Sequence, residues 1–223
     1  MRSYFKDFLD RKVIQRLILK NGAIYPNLAC FSRDIMASEI IIFGFFEIEY
    51  LNCVINALSS KLSDFKASTA IDIGANIGNH SVFFSSYFDR IVALEANPKT
   101  YKLLVFNTED IPNITPINAA VGNEEKTAIF SEHLGNMGSS GIIDSTNKSS
   151  NSLEQQKGRK FSVNVENADS IVSRLDVAKI GLIKIDVEGY EYNVIMGLKE
   201  ALSQDKCRMV FCDMANKFRG CHL

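Results

Sequence analysis

The chain has 223 residues, of which 46% are hydrophobic, and this size and composition suit one α/β domain with a substantial core. The 25 basic and 26 acidic residues leave a formal net charge of −1, which lacks the basic excess typical of nucleic-acid-binding proteins, so no nucleic-acid partner is expected. Five widely spaced cysteines without a CxxC pair argue against a metal site or a disulfide framework, and they favour reduced thiols and a cytoplasmic location.

Residues 1–65 predict a helical N-terminal lead-in. Apolar residues recur every four positions in residues 1–20, which indicates an amphipathic helix packed on the domain or, as the alternative, lying on a membrane surface. A second helical pattern follows in residues 49–62. The most apolar run, residues 40–46, is too short to span a bilayer, so no transmembrane segment is expected. Residues 66–223 are then predicted to form one domain.

Short apolar runs alternate with amphipathic stretches in this domain. The runs that predict strands are residues 69–74, 90–96, 114–122, 127–133, 161–167, 181–189 and 208–214. The stretches that predict helices are residues 79–88, with Asn76 or Asn79 as cap, and residues 97–109, 168–177 and 190–202. This alternation is typical of βαβ units, so we expect a mainly parallel sheet with helices on both faces.

Residues 138–160 differ in composition from the rest of the domain. Ser, Asn, Gln, Lys and Gly dominate this segment, and it offers little apolar surface to offset the entropy of ordering it. We therefore expect a mobile surface loop, in which Met137 and the neighbouring glycines form a lid over a site or are simply disordered.

Polar residues cluster directly after four of the predicted strands, at residues 74–78, 95–97, 118–120 and 186–188. Ligands of open parallel sheets bind at the carboxyl ends of the strands, where the strand order reverses. The four clusters are therefore expected to meet in one ligand site.

The first cluster, in the sequence AIDIGANIGNHS, is a tight glycine turn without the features of a phosphate site. A dinucleotide turn needs G-x-G-x-x-G, but Asn76 replaces the second glycine and Asn79 the third, and no Walker-type lysine follows. Such a turn suits S-adenosylmethionine (SAM), which has an amino-acid tail and a nucleoside but no phosphate. Glu95 lies 21 positions after Gly74, where a carboxylate accepts hydrogen bonds from ribose hydroxyls. The alternative for Glu95 is a solvated residue at the end of a strand. The alternative for the protein is a Rossmann-type oxidoreductase, which the missing second glycine disfavours.

Five segments, taken together, resemble one known family. They are IDIGANIGNHSVFFS, VALEANPKTYKLLVFN, NAAVGNEE, NMGSSGI and IKIDVEGYEYNVIMGL, and in this order they resemble the FkbM-type methyltransferases over residues 36–214. The resemblance implies the class I methyltransferase fold, which is Rossmann-like, and SAM as cofactor. It also implies methyl transfer to a hydroxyl oxygen of a carbohydrate, glycolipid or natural product.

The resemblance also implies roles for individual residues. The cofactor-binding residues would be Asp72, Gly74, Asn76, Gly78, Glu95, Asn97, Asn118 and Ala119. The catalytic residues would be Asp186 and Glu188, near the reacting methyl group.

Each of these roles has a structural alternative. The carboxylates of Asp186 and Glu188 could instead cap the helix that starts near Tyr190. The Asn118 amide could satisfy backbone groups of a turn, and Asp72 could cap backbone amides at a strand end. Two further residues, His80 and His133, are the other candidate bases.

Only nine residues follow the last predicted strand, whereas class I methyltransferases usually add two more strands there. The C-terminal hairpin is therefore expected to be missing, which would leave a sheet edge open for a homodimer. The alternative function is a truncated, catalytically inactive methyltransferase-like binding module.

Overall fold

The structure, a computed structural model, describes residues 11–13, 15–16, 19, 27–32, 34–61, 64–133, 140–143, 158–177, 179–203 and 207–212. Within these residues two sheets and seven helices are defined, and the predicted α/β class is confirmed. Most of the predicted N-terminal helix and everything after residue 212 lie outside the described residues.

The main sheet has five strands in the order β3-β2-β1-β8-β9, and all of its pairings are parallel. Its strands are β1 (Thr69–Ile73), β2 (Arg90–Glu95), β3 (Ile114–Asn118), β8 (Ile180–Ile185) and β9 (Val210–Cys212). The chain builds outward from β1 through β2 to β3 and then returns to the other side of β1 with β8. The strand order therefore reverses between β1 and β8, and their register sets Asp72 beside Lys184.

The second sheet has four strands in the order β4-β7-β5-β6. They are β4 (Ala120–Gly122), β5 (Lys126–His133), β6 (Gly141–Ile143) and β7 (Gly158–Asn167). The single strand predicted over residues 114–122 is wrong, because the chain leaves the main sheet at Ala119 and enters the second sheet as β4. The backbone N–H of Ala119 donates to the Glu95 carbonyl, which ends the pairing of β3 with β2.

The mobile loop predicted over residues 138–160 is wrong at both of its ends. Strand β6 and the first residues of β7 both pair antiparallel with β5, so backbone hydrogen bonds order these residues, and Ile142 of β6 is also buried in the core. Residues 138–139 and 144–157 of this segment, and Met137, lie outside the described residues.

The helices cover both faces of the main sheet, as predicted. They are α1 (Ile35–Phe43), α2 (Ile48–Lys61), α3 (Asn79–Ser85), α4 (Pro98–Thr108), α5 (Ala168–Arg174), α6 (Glu191–Gly197) and α7 (Lys199–Ser203). Residues of α2, α3 and α4 share one apolar core with one face of the sheet, and residues of α5, α6 and α7 share a second core with the other face.

No single helix within the described residues is long and apolar enough to cross a bilayer. Helix α1 and residues 48–60 together reach the required length and composition, but they are bent by 69° at the break between them.

Two predicted helix boundaries differ in the structure. Helix α3 has Gly78 as its N-cap without a side-chain cap bond, so a cap by Asn76 or Asn79 is wrong. The Asn79 side chain instead bonds both backbone groups of Phe46. The helix predicted over residues 190–202 is interrupted at Leu198, and a new helix, α7, starts after it. The Asp169 carboxylate caps this new helix by accepting hydrogen bonds from the backbone N–H groups of Glu200 and Ala201.

One side chain of the domain makes hydrogen bonds with the backbone of the segment before α1. The Asn107 amide accepts a hydrogen bond from the backbone N–H of Ala29 at 2.8 Å and donates to the carbonyls of Ala29 and Ile77 at 2.9 and 2.7 Å. It therefore ties the lead-in to the loop that follows the glycine turn.

We expect Asn107→Ala to lower the free energy of unfolding by about 1–3 kcal/mol, because it leaves half-buried backbone groups without partners. Urea unfolding measures this effect. Asn164→Ala, at an exposed position on β7, is the control and is expected to change stability by less than about 0.5 kcal/mol. Equal stability of the two variants would contradict this role of Asn107.

Candidate functional site

A cleft opens at the carboxyl ends of β1, β2 and β8, between α1 and the second sheet. It encloses about 1160 Å³ counted to its open mouth. Of the sequence-predicted site residues, those that line it are Gly74, Asn76, Glu95, Asn97, Ala119, Asp186 and Glu188. The structure thus brings all four polar clusters into one cleft, at the place where the strand order reverses.

The glycine turn forms the floor of the cleft. The backbone N–H groups of Gly74 and Ala75 both donate to the Leu94 carbonyl at 2.9 Å, which ties the turn to β2. Gly74 has a φ of 80°, and a Cβ atom built on it would overlap the carbonyl oxygen of Asp186. Only glycine meets both conditions, because it alone adopts a left-handed φ without strain and has no Cβ.

The second glycine of the turn, Gly78, does not line the cleft. Its φ is 92°, and an added Cβ would lie 2.8 Å from the Leu104 side chain. Gly78 therefore permits the close packing of α3 on α4 beneath the cleft. Asn76 also has a left-handed φ, of 51°, which asparagine tolerates better than most residues.

Glu95 lies at the end of β2 with only 7% of its surface exposed. Its carboxylate accepts hydrogen bonds from the backbone N–H groups of Asn76 at 2.9 Å and Asn97 at 2.8 Å. Burial raises the pKa of Glu95 to about 7, against the opposing effect of these two hydrogen bonds and of the Lys184 charge. A carboxylate has room for about four hydrogen bonds, so it can bind further donors from the cleft.

A buried charge cluster lies beside the glycine turn, and its central residue is one that sequence analysis missed. The Lys184 ammonium contacts Asp72 at 3.1 Å, Asp186 at 3.4 Å and the Gly74 carbonyl at 3.0 Å. Burial by itself lowers the pKa of Lys184, but the two carboxylates outweigh it and the net shift is upward, so the ammonium stays charged. The signal in the sequence was a single lysine inside the otherwise apolar strand IGLIKI.

Asp72 is fully buried beneath the cleft and does not line it. Besides the contact with Lys184, its carboxylate accepts a hydrogen bond from the Ser81 hydroxyl at 2.6 Å. Asp72 therefore anchors the start of α3 to the strand β1 through side-chain bonds.

Asp186 and Glu188 lie in the turn after β8. The N-cap of α6 is Tyr190, which makes no side-chain cap bond, and the Glu191 carboxylate accepts the backbone N–H groups of Val187 and Gly189 instead. The Asp186 carboxylate is directed to Lys184, and 30% of its side-chain surface is exposed at the cleft. The N-cap position of α6 is therefore held by neither Asp186 nor Glu188.

Asn118 and His133 lie away from the cleft lining. The Asn118 side chain donates to the backbone carbonyls of Glu95 at 2.7 Å and Ala96 at 3.3 Å, which is the turn-stabilising alternative that the sequence left open. His133 ends β5, and its backbone N–H donates to the Ser140 hydroxyl.

His80 lines the cleft and is buried, with 8% of its side chain exposed. Burial and the Lys184 charge, opposed by Asp72 and Asp186, lower the pKa of His80 to about 4. The imidazole is therefore neutral near pH 7. Its Nε2 atom lies 3.6 Å from the Glu47 carboxylate. This contact is not an ion pair, because the imidazole ring is neutral.

Four buried polar atoms on residues of the cleft lining have no hydrogen-bond partner within the described residues: Asn76 Oδ1, His80 Nε2, Asn97 Nδ2 and the Tyr190 hydroxyl. Buried polar atoms in native proteins almost always have partners. Asn76 Oδ1 is a hydrogen-bond acceptor and Asn97 Nδ2 is a donor, so the cleft fits a polar ligand that carries both kinds of group.

Comparison with known proteins places the chain among methyltransferases. One curated relative is the hexuronic acid methyltransferase AglP of Haloferax volcanii, which is 28% identical over 131 residues, 59% of this chain and 50% of the relative. The chain thus spans about half the length of this relative.

Three solved structures are similar over part of the chain. YcgJ of Bacillus subtilis has a TM-score of 0.28 and 14% identity, over 34% of each chain. Precorrin 8w decarboxylase of Methanobacterium thermoautotrophicum has a TM-score of 0.38 and 13% identity, over 73% of this chain and 59% of the other. The DhpI–SAH complex has a TM-score of 0.27 and 11% identity, over 64% of this chain and 81% of the other. The family model of the methyltransferase FkbM domain matches residues 72–219, about two thirds of the chain. The chain therefore belongs to the FkbM methyltransferase family, as its sequence motifs predict.

Proposed function

We propose that the protein is a SAM-dependent O-methyltransferase that acts on a hydroxyl group of a carbohydrate, glycolipid or natural product. The observation that carries this proposal is the position of the Glu95 carboxylate at the end of β2, in the same cleft as the glycine turn and the unpartnered polar atoms. A nucleoside with an amino-acid tail supplies both the hydroxyl donors and the charged ends that such a lining needs.

The residues of the cleft divide into those for the adenosine and those for the tail. Glu95 would accept the ribose hydroxyls, with Asn97 beside it and Ala119 against the adenine. The turn of Gly74 and Asn76 would hold the methionyl end. When bound, SAM supplies an electrophilic methyl group on a positively charged sulfur.

Asp186 and Glu188 would act on the acceptor. A carboxylate beside the methyl group would orient the acceptor hydroxyl and take its proton as the C–O bond forms and the S–CH3 bond breaks, with the sulfur leaving as a neutral thioether. Asp186 suits this role because its carboxylate is exposed to the cleft on one side and held by Lys184 on the other. A carbohydrate acceptor is consistent with the name of the relative AglP, a hexuronic acid methyltransferase.

The proposal is tested first by equilibrium binding of SAM and of its demethylated product, S-adenosylhomocysteine (SAH). Saturable binding of both is expected, and its absence at high micromolar ligand would overturn the proposal. Methyl-labelled SAM is then incubated with fractionated cell-envelope glycans and lipids, and the labelled fraction identifies the acceptor class. Binding without transfer to any fraction would favour the catalytically inactive binding module, and a rise in melting temperature with NAD(H) would favour an oxidoreductase.

We expect Asp186→Asn to retain SAM binding and to slow methyl transfer by about 10²–10⁴-fold, the usual contribution of a general base. The fold should persist, because Lys184 keeps its contacts with Asp72 and the Gly74 carbonyl. Binding calorimetry and initial rates separate the two effects. Asp110→Asn, an exposed position after α4, is the matched control with unchanged rate. Loss of the folded state in Asp186→Asn would instead support a structural role.

A further inference from the structure

We propose that Lys184 is a positioning residue that couples the donor-binding turn to the carboxylate of Asp186, so that both halves of the cleft are set by one buried ammonium. This inference rests on the proposed function and adds a residue to it.

The Lys184 ammonium donates a hydrogen bond to one backbone carbonyl and forms ion pairs with two carboxylates. An ammonium group has three N–H donors, and Nζ lies within 3.0–3.4 Å of three oxygens from three separate parts of the chain. These oxygens belong to the Gly74 carbonyl in the glycine turn, to Asp72 in β1 and to Asp186 after β8. Since Asp186 also approaches Gly74 through its own backbone, the two turns are joined both by packing and by this cation.

The position of Lys184 makes the coupling strong. Only 3% of its side chain is exposed, and the Asp72 side chain is fully buried. Two buried charges of opposite sign stabilise each other, whereas either one alone would be buried without a partner at a large cost. Movement of the ammonium away from Asp72 would therefore leave a buried charge without its partner. This cost holds the ammonium in place between the three oxygens.

The charge of Lys184 also acts on groups at both ends of the cleft. It opposes the effect of burial on the pKa of Glu95, and it adds to the effect of burial on the pKa of His80. Glu95 further faces Asp72 and two backbone amides, and His80 faces Asp72, Asp186 and Glu47. Lys184 thus favours an ionised Glu95 and a neutral His80 at neutral pH.

The first test needs no ligand. Hydrogen exchange is measured in the wild type and in Lys184→Met, and we expect residues 74–78 and 186–189 to lose protection together. Lys179→Met is the matched control, because Lys179 precedes the other end of β8 and pairs with the exposed Asp64 at the surface. It should leave both segments unchanged. Loss of protection in only one segment, or in neither, would overturn the coupling.

The second test separates positioning from a merely structural role. SAH affinity is measured by calorimetry as a function of pH. In the wild type the affinity should rise through a midpoint near pH 7, because ribose hydroxyls bind the ionised form of Glu95. In Lys184→Met the affinity should fall at least tenfold, and the midpoint should move to higher pH because the cation that lowers the pKa of Glu95 is gone. An unchanged midpoint would overturn the electrostatic part of the proposal.

If Lys184→Met does not fold, the double variant Lys184→Met/Asp72→Asn replaces it, because it also removes the carboxylate that would be left unpaired. Hydrogen exchange is then the deciding measurement, because the loss of Asp72 offsets the loss of Lys184 at Glu95. Wild-type protection of residues 74–78 and 186–189 in the double variant would overturn the proposal. The proposed function fails differently, since the wild type itself would then not bind SAH, while the hydrogen-exchange result would still decide the coupling.

Discussion

Gly74→Ala is expected to abolish measurable SAM binding and to destabilise the protein more than any other single change in the glycine turn. A left-handed φ of 80° costs an alanine about 1–2 kcal/mol, and its Cβ would also overlap the Asp186 carbonyl oxygen. The backbone of the turn and that of residue 186 must therefore move apart, which separates the donor turn from the proposed catalytic carboxylate. Thermal unfolding and SAM calorimetry measure the two effects.

Gly78→Ala is the matched comparison for this prediction. Gly78 has nearly the same φ, 92°, but its added Cβ would meet the flexible end of the Leu104 side chain rather than backbone. We expect a loss of about 1–2 kcal/mol in stability from the φ alone, with SAM binding weakened but measurable. If both variants lose the same stability and the same affinity, the close approach to Asp186 does not matter and the explanation is wrong.

Glu95→Ala is expected to weaken SAM binding by about 10- to 150-fold for each charge-assisted hydrogen bond lost, which corresponds to about 1.5–3 kcal/mol. The effect has two sources. The ribose loses its acceptor, and the backbone amides of Asn76 and Asn97 lose the carboxylate that orders them. Isothermal titration at pH 8 measures the affinity, and wild-type affinity would mean that the ribose lies elsewhere.

Glu95→Gln separates the charge from the shape of this side chain. In the wild type the Glu95 carboxyl has a pKa of about 7, so the affinity for SAM should fall about tenfold for each pH unit below 7. The reason is that the protonated carboxyl is the weaker hydrogen-bond acceptor. The glutamine variant has no charge to lose, so its affinity should be flat over this range.

Protein stability should respond to pH in the opposite direction. A raised carboxyl pKa stabilises the folded protonated form, so this contribution is complete below the unfolded value near 4.5 and is lost as pH rises to about 7. The glutamine variant should lack this slope in thermal unfolding between those pH values, and retention of the full slope would assign it to another group.

Much of the fold could be predicted from local patterns. The strands around β1, β2 and β8 are continuous apolar runs because both of their faces are buried, and such runs are legible without tertiary information. The helix α4 has Pro98 in its first turn, where proline is favoured. The structure adds that Asn97, which was predicted only as a cofactor-binding residue, is the cap of this helix.

Other features depend on partners that are distant in the sequence. The residues around Ala119 read as one strand, because the hydrophobic pattern continues while the chain passes from one sheet to the other. Strand β6 is a short apolar piece inside a polar segment, and it is ordered because β5 pairs with it and Ile142 is buried in the core. The Asn118 amide has carbonyls within reach only once β2 and β3 are paired.

The sequence by itself determined the α/β class, the family, the glycine turn and the acid that follows β2, because each depends on residue types at short and regular spacing. Only the tertiary structure decided which of these residues face the cleft and what holds them there. Lys184 shows the physical reason most clearly. A lysine in an apolar strand does not by itself identify its partners. It becomes the centre of the site when β8 pairs with β1, because this pairing brings two carboxylates and a carbonyl to one buried ammonium.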